Sequence, residues 1–250
     1  MQAYLTLVRR ELSTFFVSLT GYIIIAAVLL LIGLSFVNLI EALNGDTIEM
    51  PITEMLYNTQ YFWLILLLAA PVITMRTFAL EKASGTYETL MTAPVGDLQV
   101  VLAKFTGALV FYMVMWLPLL GCLFIVRHYT NDPNIMDPAA TAGTFLGILL
   151  IGCVYMSLGV YSSSLTQSQP VAAMVSLAFG ISLFLIGFVA LRFPNPSTLA
   201  GRVFAHISMI EHMRDFARGV VDTRYLTFYL SLTFFFLFLT LKSVESRRWK

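Results

Sequence analysis

The chain has 250 residues, of which 58% are hydrophobic and only 12% are charged, and its mean hydropathy is +0.83. Soluble domains are about one quarter charged, so this composition excludes a soluble globular protein and indicates a protein of the lipid bilayer. The formal net charge of +1 creates no global field that would attract nucleic acid, and we expect no nucleic-acid partner.

Residues 1–19 predict an amphipathic helix at the membrane surface. Apolar side chains recur there at spacings of three and four, on a different face from the polar ones. These apolar positions are Leu5, Val8, Leu12, Phe15 and Leu19. The segment is too polar to span a bilayer, so we expect it to lie along the cytoplasmic headgroups, with Arg9 and Arg10 close to anionic lipid. The alternative is that it packs against the protein's own spans.

Six apolar runs are suited to crossing the membrane, which requires about 20 residues in a helix. They cover residues 21–40, 61–75, 105–126, 141–165, 171–191 and 225–241. The second run is short and is expected to extend at its N-terminal end. We therefore predict an all-α membrane protein in which residues 1–250 form a single domain with six transmembrane helices.

The distribution of positive charge predicts the orientation of these spans. Six spans place both termini on one side of the membrane. A cytoplasmic N-terminus puts nine of the fifteen arginines and lysines inside, including all four lysines, and leaves the outer loop 41–60 with four acids and no base. Five of the six outer arginines lie in one long loop, where charge has less influence on orientation. We predict that both termini are cytoplasmic.

Residues 76–104, between the second and third spans, predict a cytoplasmic hairpin containing the stretch "EKASGTYETLMTAPV". Gly85 permits a tight turn, and Thr86 can cap a new short helix. Glu88 lies in the first turn of that helix, where the helix dipole favours an acid. Pro94 then ends it. The expected product is a helix of about two turns.

Such a short helix needs support from elsewhere, because isolated helices below about 12–15 residues are marginal in water. Leu90 and Met91 supply its apolar contacts. The helix either folds back on the protein's own spans and the headgroups, or it inserts into a groove on a soluble cytoplasmic partner.

The segment 192–224 predicts an outer helical loop before the last span. Within it "FPNPS" is typical of a turn, and "RVFAHISMIEHMRDFARG" predicts a helix with one apolar stripe and Gly219 near its end. In the spans, Gly143 with Gly147, and Gly180 with its small neighbours, permit close helix approach either within the subunit or in a dimer.

The sequence contains no strong pattern of metal-ligating or catalytic residues. His206, Glu211 and His212 match no zinc-ligand spacing, so we expect no metal site. The serines 162–164 have no histidine within the spans to act as a base, which argues against a hydrolase. Cys122 and Cys153 fall in apolar runs, where cysteine usually acts as a small hydrophobe. No charged residue lies deep in the predicted spans, which argues against a proton-coupled transporter.

The order of these features resembles the type-2 permease family of ATP-binding-cassette (ABC) exporters over nearly the whole chain. The resemblance is carried by the N-terminal "YLTLVRRELSTFFVSLTGYI", the hairpin "EKASGTYETLMTAPVGDLQVVLAKF" after the second span, and the turn "GVYSSSLTQSQPVAA" after the fourth. The closing "HMRDFARGVVDTRYLTFYLSLTFFFLFLTLKSVESRRWK" looks more specifically like the branch associated with gliding motility.

The resemblance implies that the hairpin carries the coupling helix that docks on a separate ATPase subunit. The residues matching the family motif are Glu81, Gly85, Thr86, Glu88 and Pro94, with Leu90 and Met91 as groove contacts, although Met91 departs from the leucine-rich version expected. The turn after the fourth span implies a second, smaller cytoplasmic contact through Ser164, Thr166 and Gln167.

No G-x-x-x-x-G-K-[ST] motif occurs in the chain, so we expect no ATPase activity and no cofactor here; ATP and Mg²⁺ would be used by the partner. The resemblance further implies a second permease subunit, in a homodimer or heterodimer, and a multi-pass position in the bacterial cytoplasmic membrane. A non-transporting membrane scaffold and an integral membrane enzyme are the alternatives. The transported substrate is not readable from the sequence.

Overall fold

The computed structural model describes residues 2–43, 51–88, 95–130, 137–192 and 206–248. These ranges are helical, and they contain no strand. The helices are α1 (Gln2–Phe16), α2 (Leu19–Leu43), α3 (Ile52–Asn58), α4 (Gln60–Thr74), α5 (Ala79–Ala83), α6 (Asp97–Thr130), α7 (Pro138–Leu165), α8 (Gln169–Arg192), α9 (Met209–Ala217) and α10 (Thr223–Arg248).

Six helical segments in the described ranges are long and apolar enough to cross a membrane. They are Leu19–Ala42, Gln60–Ala83, Asp97–Tyr129, Pro138–Leu165, Gln169–Phe188 and Thr223–Ser246. The prediction of an all-α protein with six membrane-spanning helices is therefore confirmed. The helix of the third span begins at Asp97, before the apolar run that starts at residue 105, and its first turns include the polar residues Asp97, Gln99 and Lys104.

The helix α7 lies at the centre of the bundle and contacts α4, α6, α8, α9 and α10. Two glycines make this packing possible. A Cβ atom at Gly152 would lie 2.3 Å from the ring of Tyr112 on α6, and one at Gly159 would lie 2.1 Å from Thr74 Oγ1 on α4. Because these positions lack a side chain, α4 and α6 approach the α7 backbone directly.

The small residues at the start of α7 receive the helix α9 of the same chain. A Cβ atom at Gly143 would lie 2.2 Å from the carbonyl oxygen of Phe216, and one at Gly147 would lie 2.9 Å from Met213 Sδ. In this chain the glycine pair therefore serves packing within the subunit. Gly180 on α8 likewise approaches α7, with its Cβ position 3.0 Å from the ring of Tyr155.

The helices α3 and α9 pack together at one end of the bundle, which we call the α3/α9 end. Arg218 donates two hydrogen bonds to the carboxylate of Glu54, at 2.8 and 3.0 Å, and Thr53 Oγ1 donates to the carbonyl oxygen of Ala217 at 2.7 Å. The sequence pattern predicts a helix in the region of α9 but none in the region of α3. We call the opposite end, where α1 and α5 meet, the α1/α5 end.

Local sequence explains the limits of α9. Ser208 caps its N-terminus, since the side chain accepts from the backbone N–H of Glu211. Gly219 follows its last turn with φ +78°, a left-handed conformation that glycine adopts without steric cost. The cap at Ser208 separates α9 from the helical residues 206–207. The predicted "FPNPS" turn lies outside the described residues.

Candidate functional site

Four charged side chains form an ion-pair network at the α1/α5 end. Lys104 Nζ lies 3.0 Å from Glu11 Oε1 and 2.9 Å from Glu81 Oε1. Arg10 Nη2 lies 2.8 Å from the same oxygen of Glu81 and 3.2 Å from that of Glu11. The side chain of Lys104 is only 2% exposed. The network joins α1, α5 and the start of α6, and Glu81 is its only member among the residues proposed from the family motif.

The helix α1 is positioned for this network by packing along α6. The ring of Phe15 stacks on that of Phe111 at 5.0 Å between centroids, and Tyr4 Oη donates to Thr106 Oγ1 at 3.1 Å. A Cβ atom at Gly107 would lie only 2.9 Å from Glu11 Cβ, so this glycine lets the acid come close to α6.

These contacts define the environment of the three residues that the sequence assigned to the interfacial helix. Phe15 is buried against α6, Arg10 is turned toward Glu81, and Arg9 is exposed. The packing of α1 on the protein's own spans, which the sequence left open as the alternative, is present in the structure. Exposed Arg9 stays available for the predicted contact with anionic lipid.

The N-terminus of α5 is capped from a distant part of the chain. The backbone N–H groups of Phe78 and Ala79 donate to Ser163 Oγ at 3.1 and 3.0 Å, and Ser163 Oγ donates to the carbonyl oxygen of Met75 at 3.2 Å. The ammonium group of Lys82 donates to the carbonyl oxygen of Ser164. The chain can therefore leave α4 and turn into α5 with its backbone groups satisfied.

The other serines at the end of α7 also donate to backbone carbonyl groups. Ser162 Oγ donates to the carbonyl oxygen of Leu158 at 3.0 Å, and Ser164 Oγ donates to that of Tyr161 at 2.7 Å. All three hydroxyls are thus engaged with backbone groups and are buried. This arrangement serves helix packing and capping, and it does not supply an activated nucleophile.

Beyond the charge network, the hairpin projects an exposed tip, residues 83–88. The residues 83–86 and Glu88 are exposed, whereas Tyr87 is half-buried near Phe78. Gly85 has φ +73°, which is the turn that the sequence predicted for it. Residues 86–88 are helical. Leu90, Met91 and Pro94, three of the predicted coupling residues, lie outside the described residues.

The second predicted cytoplasmic contact lies beside this hairpin, since α5 contacts both α7 and α8. Ser164 is fully buried and receives Lys82, while Gln167 is exposed. Thr166 is half-buried, and its hydroxyl accepts from the backbone N–H of Ser168 at 3.1 Å. The structure therefore brings the two predicted contact segments together, with Gln167 on the surface and Ser164 inside.

Sequence analysis did not identify Glu11 and Lys104 as site residues, although each position carries a recognisable signal. Glu11 is four residues before Phe15 and therefore lies on the buried face of α1. Lys104 stands alone in the apolar stretch "VVLAKFTGAL", where an unpaired ammonium group would be costly. Each of these buried charges therefore requires an opposite charge nearby, although neither pattern identifies which residue supplies it.

At the α3/α9 end, His212 is held in a buried aromatic setting. Its Nδ1 lies 3.0 Å from Tyr229 Oη, and its ring stacks on Tyr225 at 4.0 Å between centroids. Burial lowers the pKa of His212 to about 4, and the nearby His206 acts in the same direction. Within the described ranges no three histidine, cysteine or acidic side chains lie together as metal ligands would.

The six apolar helices define a multi-pass membrane protein. The sequence model of the family described as ABC-2 family transporter protein matches residues 6–240. The chain belongs to this family and is a membrane permease component of an ABC transporter. A search of curated proteins gives no significant match.

Proposed function

We propose that this chain is the permease subunit of a bacterial type-2 ABC exporter, and that its α1/α5 end faces the cytoplasm. A separate ATPase subunit would bind ATP and Mg²⁺ and dock on residues 81–94. The absence of a G-x-x-x-x-G-K-[ST] motif supports a separate ATPase. The observation that carries the proposal is the ion-pair network in which Glu81, at the base of the exposed hairpin, is tied to both α1 and α6.

This geometry suits the transmission of force from a soluble partner. The exposed tip follows α5 directly, and α5 is fixed to α7 by the Ser163 cap and to α6 by the pair of Glu81 with Lys104. Because Arg10 of α1 also pairs with Glu81, a displacement of the tip is passed to α1, α6 and α7. ATP-driven closure of two partner subunits could in this way shift the spans between inward- and outward-open arrangements.

A dimer of permease subunits follows from this mechanism, because two ATPase subunits that close on nucleotide need two hairpins to move. The chain would pair with a second copy or with a related permease in the cytoplasmic membrane. The similarity of the C-terminal segment to the gliding-motility branch suggests a role in surface export. It does not identify the cargo.

The test of coupling is charge reversal at the exposed tip. With Glu88→Lys, we expect the chain to insert and fold normally but to lose co-purification with the ATPase and the stimulation of ATP hydrolysis by the permease. Glu245→Lys is the matched control, since Glu245 is half-exposed at the α1/α5 end and, among the described residues, forms its salt bridge with the neighbouring Lys242. Unchanged association and hydrolysis in Glu88→Lys would contradict the proposal.

A hydrolysis-dead ATPase separates transport from the scaffold alternative. An exporter loses its cellular function when its partner binds ATP without hydrolysing it, whereas a scaffold that only needs the assembled complex keeps it. A purified chain that converts a substrate without any ATPase would instead favour a membrane enzyme.

A further inference from the structure

A cavity of about 710 Å³ opens between α4 and α8, toward the α3/α9 end. Its volume falls in the range of about 300–1,000 Å³ that is typical of small-molecule sites. Trp63 and Leu67 of α4 line it together with Leu177 and Phe184 of α8, and the rings of Trp63 and Phe184 are in contact at 5.1 Å between centroids. Because α4 and α8 are both membrane-spanning, the cavity lies at the depth of acyl chains.

The polar groups of the cavity gather at one end. Asn58 and Gln60 lie where α3 meets α4, and Arg214 is on α9. All other lining residues are apolar. The cavity is thus polar at its α3/α9 end and apolar along the rest of its length. This arrangement matches an amphiphile that has one polar headgroup and an apolar chain.

Arg214 has a positive charge that is available to a ligand. It is exposed and forms no salt bridge with the described residues, whereas its neighbour Arg218 is bound by Glu54 through two hydrogen bonds. Interaction with the hydroxyl of Tyr57 raises the pKa of Arg214, so it stays a cation. A guanidinium group offers several donors in a planar fork that matches phosphate oxygens.

A second copy of the chain fits this cavity less well. In a symmetric dimer the same surface is used by both subunits, and no residue lining this cavity is acidic. A second copy placed there would contribute no carboxylate from the matching surface to Arg214. An amphiphile with an anionic headgroup supplies the negative charge that pairs with Arg214, and its acyl chain contacts the apolar lining of the cavity.

We propose that this cavity binds an anionic phospholipid-type amphiphile, with its headgroup phosphate at Arg214 and its apolar chain along the walls that α4 and α8 provide. If the proposed export function holds, this amphiphile represents the class of molecule that the permease moves. The binding itself requires only the folded chain in a bilayer.

The test uses the full chain in lipid nanodiscs containing a trace of a photoreactive lipid. Two probes carry the same diazirine acyl chain, one on anionic phosphatidylglycerol and one on zwitterionic phosphatidylcholine. After illumination, mass spectrometry locates the labelled peptides. We expect the anionic probe to label the peptides containing Trp63 to Leu67 and Leu177 to Phe184 preferentially, and Arg214→Gln to reduce that labelling roughly three- to tenfold, as expected for the loss of one hydrogen bond of ordinary strength.

Two variants make the result specific. Arg224→Gln removes a positive charge near the start of α10, at the same end of the bundle but outside the cavity lining, and should leave the labelling unchanged. Arg214→Lys retains the positive charge and should retain most of the labelling by the anionic probe. Equal labelling by both probes, or equal losses in Arg214→Gln and Arg224→Gln, would show only boundary lipid and would overturn the proposal.

A second copy in the cavity would give a different outcome. Cross-links between two chains through Ile181→Cys, in a chain lacking Cys122 and Cys153, together with absent lipid labelling, would assign the surface to the dimer and overturn the proposal. No ATPase is present in these experiments. Absent lipid labelling would therefore not contradict the proposed coupling to an ATPase. Unchanged ATPase association in Glu88→Lys would likewise not contradict the proposed lipid site.

Discussion

Removal of the buried ammonium group at the α1/α5 end is the most informative perturbation of the fold. In Lys104→Met the side chain keeps about the same length but loses its charge, so the two carboxylates that it joins lose their shared cation. Their Oε1 atoms both lie within 3.0 Å of Lys104 Nζ, so Glu11 and Glu81 are left as close like charges. The variant should therefore loosen α5 from both α1 and α6.

The loss in free energy of unfolding depends on how much of the ion-pair network remains in the Lys104→Met variant. Breaking a fully buried ion pair costs about 3–5 kcal/mol, whereas an exposed pair contributes about 0–1 kcal/mol. The side chains of Glu11 and Glu81 are 10% and 16% exposed, and Arg10 still reaches both of them. We therefore expect Lys104→Met to lower the free energy of unfolding by about 2–3 kcal/mol, between the two limits.

The assay is a double-mutant cycle with Glu81→Gln, in which the free energy of unfolding is measured by steric trapping in lipid bicelles. We expect a coupling energy of at least about 1 kcal/mol between Lys104→Met and Glu81→Gln. Lys242→Met is the control, because its pair with Glu245 is exposed and should contribute less than about 0.5 kcal/mol. Additive effects at Lys104 and Glu81 would refute the reasoning.

Three further predictions concern the hairpin, the helix packing and the buried histidine. Gly85→Ala places a side chain at φ +73° and should destabilise the turn by about 1–2 kcal/mol, weakening co-purification with the ATPase. Gly143→Ala places a Cβ atom 2.2 Å from a backbone oxygen of α9 and should lower the free energy of unfolding by about 1–3 kcal/mol. The pKa of His212 is lowered from 6.5 to about 4, so the unfolded chain binds this proton first and stability should fall by at most about 3 kcal/mol as the pH drops from 6.5 to 4. His212→Gln should remove that part of the pH dependence.

Each of these variants has a matched control. Gly96→Ala meets open space at an ordinary backbone angle, so it should leave ATPase association unchanged; an equal loss in Gly96→Ala and Gly85→Ala would contradict the role of the turn. Gly121→Ala also meets open space, and a cost equal to that of Gly143→Ala would contradict the close approach of α9. His128→Gln alters an exposed histidine and should retain the pH dependence, so its loss there would contradict the assignment to His212.

The sequence was sufficient to predict the spans because the bilayer imposes them locally. A helix that crosses lipid must carry its own apolar surface over about 20 consecutive residues, and this property can be read without knowledge of its neighbours. The turn at Gly85 was predictable for the same reason, since a positive φ is a local preference of glycine. The short helix α3 carries neither property, and it packs against α2, α4 and α9.

The contacts that organise the candidate site depend on distant pairs. Glu11 and Lys104 are 93 residues apart in the chain, and the cap that Ser163 provides to Phe78 spans 85 residues. Neither partner has a local pattern that names the other. The cavity is a further example, because its shape is set by the packing of α4 on α8 and its charge is supplied by α9. Such features follow from the tertiary fold and were accessible only once it was known.

The central claim is that the exposed tip of the hairpin docks on a separate ATPase, and site-directed photocross-linking tests it most directly. A photoreactive amino acid at Ser84, which is exposed at the tip, is illuminated in membranes containing the chain and its candidate ATPase. We expect an adduct with the ATPase that is absent when the same amino acid replaces Tyr129, which is exposed near the far end of α6. An adduct from Tyr129 alone, or labelling of Ser84 only by reagents confined to the periplasmic side, would contradict the account.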